Sequence, residues 1–347
     1  MAATTMSNLP HSPVRLKDIA QDLNVSVMTV SKVVRGCADV GSATRDRVLA
    51  RIKELNYQPN WVARSLAARR TFIIGLLVPD LMHSFFAEIA KGVSTSIRPL
   101  GYDVVICNSE EDSALESSEV DRLLARQVDG FIIASAQPPS SIEVFARIEA
   151  RGIPYVLVDR RFPNVRASYA GADDEAIGQL ATRHLIEQGC RRIAHIAGRP
   201  LAPGVGRLKG YREALRAAGI PAPDSYVVHA CDDATGYEAA RSLLALQPRP
   251  DGIFGYNDPT AAGAMKAILE AGLGIPEQIK VIGVGNVHYS DLLRVPLSTI
   301  DQDSTAIGLK AAEILLKAIN SKRKRQPVTA ITHPTLLVRE STGGRRR

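Results

Sequence analysis

The chain has 347 residues, of which 45% are hydrophobic and 23% charged, and this balance excludes a disordered or collagen-like protein. Its length predicts two or three domains of about 100–200 residues each. No apolar run approaches the roughly 20 residues needed to span a bilayer, and the first residues lack the features of a secretory signal. Cys37, Cys107, Cys190 and Cys231 form no CxxC pair, so we expect no structural zinc, no disulfide and a cytoplasmic location.

The net charge of +7 is concentrated at the two ends of the chain. Residues 1–70 contain 11 basic and 5 acidic residues, and residues 321–347 contain 8 basic residues and 1 acidic residue. The body between them contains 24 basic and 30 acidic residues. A basic head on an acidic body favours a small polyanion-binding module, with a solvated basic surface as the alternative. The basic residues at the C-terminal end are a weaker signal and fit a frayed tail.

The first sixty residues contain three short helical patterns. Apolar residues at 16, 19, 20 and 23 have helical spacing. Ser26 is placed to cap a second helix over 27–34, and Ser42 is placed to cap a third over 43–55. Two helices joined by a tight turn and closed by a third form a helix-turn-helix, whose second helix enters the major groove of DNA. A three-helix packing module without a role in DNA binding is the alternative.

Residues 71–340 alternate β-rich runs with helical stretches. The predicted strands are Phe72–Val78, Val104–Cys107, Gly130–Ala134, Tyr155–Val158, Arg192–Ile196, Tyr226–His229, Gly252–Tyr256 and Val281–Val284. Predicted helices lie near 85–98, 116–127, 141–150, 174–188, 205–218, 235–246, 260–271 and 303–320. This alternation predicts doubly wound parallel sheets, and two sets of four strands indicate two similar lobes. Ligands of such sheets bind beyond the carboxyl ends of the strands, so the cleft between the lobes is the expected pocket.

Polar and aromatic side chains follow several of these strands. A carboxylate or amide accepts sugar hydroxyls, an arginine bridges oxygens, and an aromatic ring stacks on a sugar face. The candidates from strand ends are Asp80, Phe85, Phe86, Asp159, Arg160, Arg207 and Asn257. Each has a structural alternative: Asp80 can cap the helix that follows it. Asp159 and Arg160 can form a surface ion pair worth about 0–1 kcal/mol.

The sequence resembles the lactose-repressor (LacI/GalR) family of bacterial transcription regulators. The strings LKDIAQDLNVSVMTVSKVVRG and VGSATRDRVLARIKELNYQPNWVARSL resemble its DNA-binding headpiece and hinge. IIGLLVPDLMHSFFAEIAKGV, GYDVVICNSEEDSALE, VDGFIIAS, YVLVDRRFP, HLIEQGCRRIAHIAG and VPLSTIDQD extend the match to about residue 340. The resemblance implies an all-α helix-turn-helix headpiece and an α/β two-lobed core like that of periplasmic binding proteins, with chain crossings near 171, 300 and 331.

The resemblance also implies a division of the chain and a set of DNA contacts. The expected segments are a helix-turn-helix domain (1–58), a hinge helix and linker (59–71), a first lobe (72–171 and 301–330), a second lobe (172–300 and 331–340) and a basic tail (341–347). The expected DNA contacts are Lys17, Ser26, Val27, Met28, Thr29, Ser31, Lys32, Arg35, Tyr57, Asn60 and Leu66. Val27 and Met28 match the variable base-reading pair, and Leu66 matches the leucine that wedges into the minor groove. Arg35 and Trp61 depart from the usual pattern.

The effector-binding set implied by the resemblance adds Asn286 to the strand-end candidates and favours Arg207 and Asn257. The family usually has Gly-aromatic-Asp-Asp where this chain has Gly283-Val284-Gly285-Asn286, so a carboxylate that binds a sugar hydroxyl is replaced by Gly285. This departure raises the hypothesis of an anionic effector, such as a sugar acid, beside the more usual neutral sugar.

The leading interpretation is a dimeric, ligand-controlled DNA-binding regulator, most often a repressor in this family. It has no cofactor or metal, and no motif specifies whether the effector releases or strengthens DNA binding. A periplasmic-type sugar receptor would fit the body alone. An enzyme would need a site assembled from His195, His229 and Cys190 or Cys231, and the chain contains no Walker loop, nucleophile elbow or HExxH. No leucine heptads follow Arg339, so we expect a dimer rather than a zipper-joined tetramer.

Overall fold

The computed structural model describes residues 14–34, 36–37, 39–57, 65, 68–321 and 326–344. The chain divides into two compact units, Met1–Thr71 and Phe72–Arg347. None of the helices in these described ranges is long and apolar enough to cross a membrane.

The first unit contains the three predicted helices, α1 (Leu16–Asp22), α2 (Val27–Val34) and α3 (Ser42–Glu54). They enclose a small core of Ile19, Ala20, Val30, Val33 and Val48. Ser26 caps α2 as predicted, because its Oγ atom accepts a hydrogen bond of 3.0 Å from the Thr29 backbone N–H. The predicted cap of α3 is wrong: Ser42 is the first residue of that helix, and Gly41 precedes it.

The first lobe of the second unit is a six-stranded sheet in the order β11-β5-β4-β3-β1-β2 with every neighbouring pair parallel. Its strands are β1 (Ile73–Val78), β2 (Asp103–Asn108), β3 (Gly130–Ile133), β4 (Tyr155–Val158), β5 (Ser168–Ala172) and β11 (Thr329–Thr332). Its helices are α4 (Ser84–Ile97), α5 (Ser113–Ala125), α6 (Glu143–Ala150) and α11 (Ser304–Ile319). Apolar clusters cover both faces of the sheet, which explains why its strands are nearly continuous hydrophobic runs.

The second lobe repeats this architecture with the sheet order β12-β10-β9-β8-β6-β7. Its strands are β6 (Ile193–Ala197), β7 (Val227–His229), β8 (Gly252–Gly255), β9 (Lys280–Val284), β10 (Ser298–Asp301) and β12 (Thr335–Leu337). Its helices are α7 (Asp174–Glu187), α8 (Ala202–Ala217), α9 (Asp233–Leu244) and α10 (Asp258–Glu270). The edge strand β12 runs antiparallel to β10, so this sheet is mixed rather than wholly parallel.

The chain crosses between the lobes after β5, after β10 and after β11. The Thr332 hydroxyl donates a hydrogen bond of 2.8 Å to the Gln302 backbone carbonyl, which ties the second crossing to the third. The eight predicted strands are present, but β5, β10, β11 and β12 were missed. All four flank these crossings.

The predicted basic tail over 341–347 is wrong in its first part. Ser341 and Thr342 are fully buried in the second lobe. The Ser341 hydroxyl donates to the Val281 carbonyl at 2.6 Å, and Thr342 forms a hydrogen bond of 2.8 Å with His184. The burial of Ser341 and Thr342 could not be predicted from the small polar residues and arginines around them, because it depends on partners far away in the chain.

Candidate DNA-reading helix and effector cleft

A cavity of about 430 Å³ lies beyond the carboxyl ends of the strands, within the range typical of small-molecule sites. Residues from both lobes line it: Asp80, Met82, His83, Phe85, Phe86, Asn108, Glu110, Glu111, Asp159, Arg160, Arg199, Leu201, Arg207, Cys231, Asp232, Tyr256, Asn257 and Gln302. Seven of the eight predicted effector residues are therefore brought together. They are Asp80, Phe85, Phe86, Asp159, Arg160, Arg207 and Asn257.

Asn286 is the exception and does not line the cavity. Its Nδ2 atom donates to Asp301 at 3.0 Å, and its Oδ1 atom accepts from Arg339 at 2.7 Å. The amide therefore joins β10 to the C-terminal segment. Placing Asn286 in the effector site was wrong because its backbone turns at φ 48° and these two partners occupy both ends of the amide.

Arg207 is 4% exposed and reaches the cavity from α8. Its Nε donates to the Asp174 carboxylate at 3.0 Å, and its two terminal nitrogens donate to the Tyr256 carbonyl at 2.7 Å and the Gln302 side chain at 3.0 Å. The guanidinium also lies 4.8 Å from the centre of the Tyr256 ring. Arg207 thus connects the cavity wall to the second crossing through Gln302.

Arg160 is the counterpart of Arg207 in the first lobe and is 6% exposed. It donates to both carboxylate oxygens of Glu111, at 2.9 and 2.5 Å, and to the Ser135 carbonyl at 2.9 Å. Asp159 lies beside it, with 3.5 Å between Arg160 Nε and a carboxylate oxygen. Burial raises the pKa of Asp159 to about 6. The surface ion pair proposed as the alternative for Asp159 and Arg160 is wrong, because both side chains are largely buried.

The two buried arginines are matched by carboxylates within the protein, so neither is an unpaired charge waiting for an anion. Gly285 offers no support for an anionic ligand either, because it does not line the cavity. Its φ of +129° disfavours any side chain, and a Cβ atom there would lie 3.9 Å from the Asp258 carboxylate. These contacts argue against the hypothesis of an anionic effector.

The residue that caps α4 differs from the one that the local sequence suggested. Asp80 does not cap that helix: its Oδ1 accepts a hydrogen bond from the Met82 N–H at 2.8 Å. The N-cap residue is His83, which the sequence reasoning did not select. It lies two residues before the selected Phe85-Phe86 pair, and this closeness is the signal that could have identified it. Asn108, Tyr256 and Gln302 were also missed. Asn108 is the last residue of β2, and Tyr256 and Gln302 directly follow β8 and β10.

The residues considered for an enzyme site do not form one. His195 is fully buried, and its ring stacks on Phe254 with 4.3 Å between the ring centres. Burial lowers the pKa of His195 to about 3. Cys190 is also a core residue, whereas Cys231 is exposed and lines the cavity. Across the described ranges, no group of three or more His, Cys, Asp or Glu side chains is arranged to hold a metal ion.

In the first unit, α2 presents an exposed apolar pair at its beginning. Val27 is 47% exposed and Met28 is 62% exposed, although both are large hydrophobic residues. Lys32 lies farther along α2, partly exposed, and forms an ion pair with Asp39. This exposure leaves the pair accessible, which the predicted contact with thymine methyl groups requires.

The other predicted DNA contacts differ in their surroundings. Lys17 is exposed, and Ser31 is partly exposed. Ser26 and Thr29 are joined by a hydrogen bond of 2.8 Å between their hydroxyl groups. Tyr57 packs against the core of the three helices. The predicted contacts Arg35, Asn60 and Leu66 lie outside the described residues, as does Trp61, which departs from the usual family pattern.

These features define a class of protein: a helix-turn-helix unit with an exposed reading face, joined in one chain to a two-lobed core with a polar cleft, is a ligand-responsive DNA-binding regulator. Two family profiles match the chain. Bacterial regulatory proteins of the lacI family match residues 15–60, and the periplasmic binding proteins and sugar-binding domain of the LacI family match residues 71–338.

Individual relatives agree with these profiles. The ribose operon repressor of Halalkalibacterium halodurans is 35% identical over 95% of this chain and 97% of its own length. The transcriptional repressor PurR of Pectobacterium carotovorum is 36% identical over 94% of this chain and 96% of its own. Among solved structures, the lac repressor dimer bound to operator aligns with a TM-score of 0.81 and 27% identity, covering 95% of this chain and 99% of that one.

The chain belongs to the LacI family of bacterial regulatory proteins. It combines a DNA-binding helix-turn-helix with an effector-binding domain, and its relatives are transcriptional repressors rather than enzymes. A transport receptor without a role in DNA binding is not favoured, because the head has its own match to the family.

Proposed function

We propose that this protein is a transcriptional repressor that binds a pseudo-palindromic operator as a homodimer and responds to a neutral, hydroxyl-rich ligand in the cleft. The observation that carries the proposal is the pairing of two features in one chain: the exposed Val27 and Met28 on α2 and the polar cavity between two lobes. A protein that acts on operator DNA works in the cytoplasm, which is the location we assign to it.

The charge distribution of the cavity favours a neutral ligand. Arg160 and Arg207 are engaged by Glu111 and Asp174, so an anion would have to compete with carboxylates already in place. The same cavity offers acceptors. The Asn108 Oδ1 atom is buried and has no hydrogen-bond partner among the described residues, so it is available to a ligand hydroxyl group.

Aromatic rings complete the ligand environment. Phe85 and Phe86 lie together at the start of α4, with 5.0 Å between their ring centres, and Tyr256 follows β8 in the other lobe. Rings that flank a cleft from two sides suit the apolar faces of a sugar, whereas the polar groups suit its hydroxyls. A solved LacI-family structure from Enterococcus faecium contains ribose, and a structure of the regulator CelR contains cellobiose. Ribose and cellobiose are therefore the first ligands to test.

We assign the DNA-reading role to α2 and extend it to the full predicted set of contacts. In this assignment Val27 and Met28 read base edges, while Lys17, Ser31 and Lys32 position the head on phosphates. Arg35, Asn60 and Leu66 retain the roles implied by the family resemblance. The division into a head (1–58), a hinge (59–71) and two lobes remains our proposed organisation of the chain.

The test is selection of binding sites by the full-length protein from a randomised duplex library. We expect a pseudo-palindrome that binds at least about 10³-fold more tightly than random DNA. Replacing both Val27 and Met28 with Ala should change the selected sequence within each half-site. Val205→Ala is the matched control, since Val205 is 56% exposed on the core. Selection of no sequence, or of the same sequence by the α2 variant, would contradict the proposal.

A further inference from the structure

One side-chain hydrogen bond spans the cleft between the starts of two helices, one from each lobe. His83 is the N-cap residue of α4 in the first lobe, and Asn257 is the N-cap residue of α10 in the second. The His83 Nε2 atom lies 3.1 Å from the Asn257 Nδ2 atom. Both residues line the cavity, so a ligand that enters the cleft meets this contact.

The orientation of the Asn257 amide is fixed by its role as a helix cap. Its Oδ1 atom accepts a hydrogen bond of 2.9 Å from the Thr260 backbone N–H. The group that faces His83 is therefore the NH₂, which can only donate. The His83 Nε2 atom must then carry a lone pair, and the proton of the neutral ring must be on Nδ1.

A second hydrogen-bond donor, from α4 itself, also faces the His83 ring. The Phe85 backbone N–H lies 3.3 Å from His83 Nδ1 in the geometry of an N-cap, and it also requires an acceptor. A neutral imidazole has one acceptor nitrogen, not two. The ring can accept from Asn257 across the cleft or from Phe85 within α4, but it cannot accept from both at once.

We propose that His83 is a tautomeric switch between the lobes, in which the cross-cleft bond to Asn257 and the helix cap to Phe85 are alternatives. A ligand that places a carbonyl or hydroxyl oxygen beside Nε2 favours the Nε2–H tautomer, which releases Asn257 and caps α4. This role deepens the proposed function and rests on it for the identity of the site. The two hydrogen-bond demands on the ring exist without any ligand or DNA.

The charges that act on the ring come from both lobes. Burial of the ring lowers the pKa of His83; Asp80 in the first lobe opposes this shift, and Arg207 in the second lobe adds to it. The ring is therefore neutral near neutral pH, where the choice between tautomers operates. Protonation would leave the ring without an acceptor for either Asn257 or Phe85.

The experiment is nitrogen-15 NMR of the histidine ring nitrogens in the full-length protein near neutral pH, without ligand. The signals of His83 are those lost in the His83→Gln protein. In the wild type we expect Nδ1 to carry the proton and Nε2 to be unprotonated. Asn257→Asp keeps the cap on Thr260 and replaces the donating NH₂ with an accepting oxygen. It should invert the tautomer, so that both bonds form together.

A second readout follows the Phe85 amide, which gains its acceptor only in the inverted tautomer. Its hydrogen exchange should slow by about threefold to tenfold in Asn257→Asp. Asn108→Asp is the matched control, because it adds the same charge to the same cavity and should leave the tautomer unchanged. A wild-type ring protonated on Nε2, an Asn257→Asp ring that does not invert, or inversion by Asn108→Asp would overturn the proposal. Operator binding is not measured, so failure here leaves the proposed function intact.

Discussion

Replacing Arg207 with Met removes a buried cation and leaves the Asp174 carboxylate without its partner. The Arg207 side chain is 4% exposed and that of Asp174 is 13% exposed, so water replaces little of the lost interaction. Breaking one side of such a buried pair typically costs about 3–5 kcal/mol. Since whole domains are stable by about 5–15 kcal/mol, Arg207→Met should destabilise the second unit substantially, besides any effect on ligand binding.

The double variant Arg207→Met/Asp174→Asn separates the unpaired charge from the other lost contacts. Removing the carboxylate should restore most of the stability and leave a loss of about 1–2 kcal/mol. This residual reflects the hydrogen bonds to Tyr256 and Gln302. The assay is urea unfolding of the four proteins that form the double-mutant cycle, which isolates the interaction between the two side chains.

The direction in which the stability of Arg207→Met changes with pH is an independent test of the same account. Burial already raises the pKa of Asp174, and loss of the arginine should raise it further. The native state then holds a proton that the unfolded state releases, so the destabilisation should grow as the pH rises. A coupling energy below about 1 kcal/mol, or a destabilisation that grows on acidification, would refute the account of Arg207 as a charge-matched core residue.

Three further predictions concern the head, a core histidine and a helix crossing. Lys32→Ala should weaken operator binding and reduce the slope of log affinity against log salt by about 0.9, as measured by fluorescence anisotropy. The His195 pKa of about 3 means that only the unfolded state takes up the proton. His195 should therefore contribute about 2 kcal/mol to the stability lost between pH 7 and pH 5 in urea unfolding, and His195→Phe should remove that contribution. Gly308→Ala should destabilise the first lobe by about 1–3 kcal/mol, because the new Cβ would lie 2.3 Å from the Ile89 carbonyl oxygen.

Each of these predictions has a control. Lys209→Ala removes an exposed lysine of the core and should leave the salt dependence unchanged. His333→Gln, at an exposed histidine, should preserve the acid sensitivity of the wild type. Gly41→Ala places a Cβ where nothing lies within 4 Å and should cost little. An unchanged salt slope in Lys32→Ala, an acid sensitivity of His195→Phe equal to that of the wild type, or a neutral Gly308→Ala would contradict the respective argument.

Hydrophobic patterns predicted the helices and eight of the twelve described strands because most of those elements bury apolar faces. The helix over 174–188, for example, is observed as Asp174–Glu187. Strands β5 and β10 were missed because SYAGA and STID are short and contain few large apolar residues. Their strand conformation depends on pairing with neighbours that local sequence does not specify.

The cleft was predictable where it follows strand ends and unpredictable where it depends on partners. Asp159 and Asn257 lie at the ends of recognisable strands, so topology alone placed them. Asn286 has the same kind of position, but Asp301 and Arg339 hold it outside the cavity. Because Arg207 is paired with Asp174, its positive charge is already matched before a ligand binds. The spacing of the two residues along the chain did not predict this pairing.

The most direct test of the central claim is the affinity of the full-length protein for its selected operator, measured with and without a neutral sugar that binds the cleft. The account predicts that saturating sugar changes the operator dissociation constant by about 5–150-fold. It also predicts that operator changes the affinity for sugar by the same factor. An operator affinity that is identical with the cleft empty and with the cleft filled would contradict the claim that this cleft controls DNA binding.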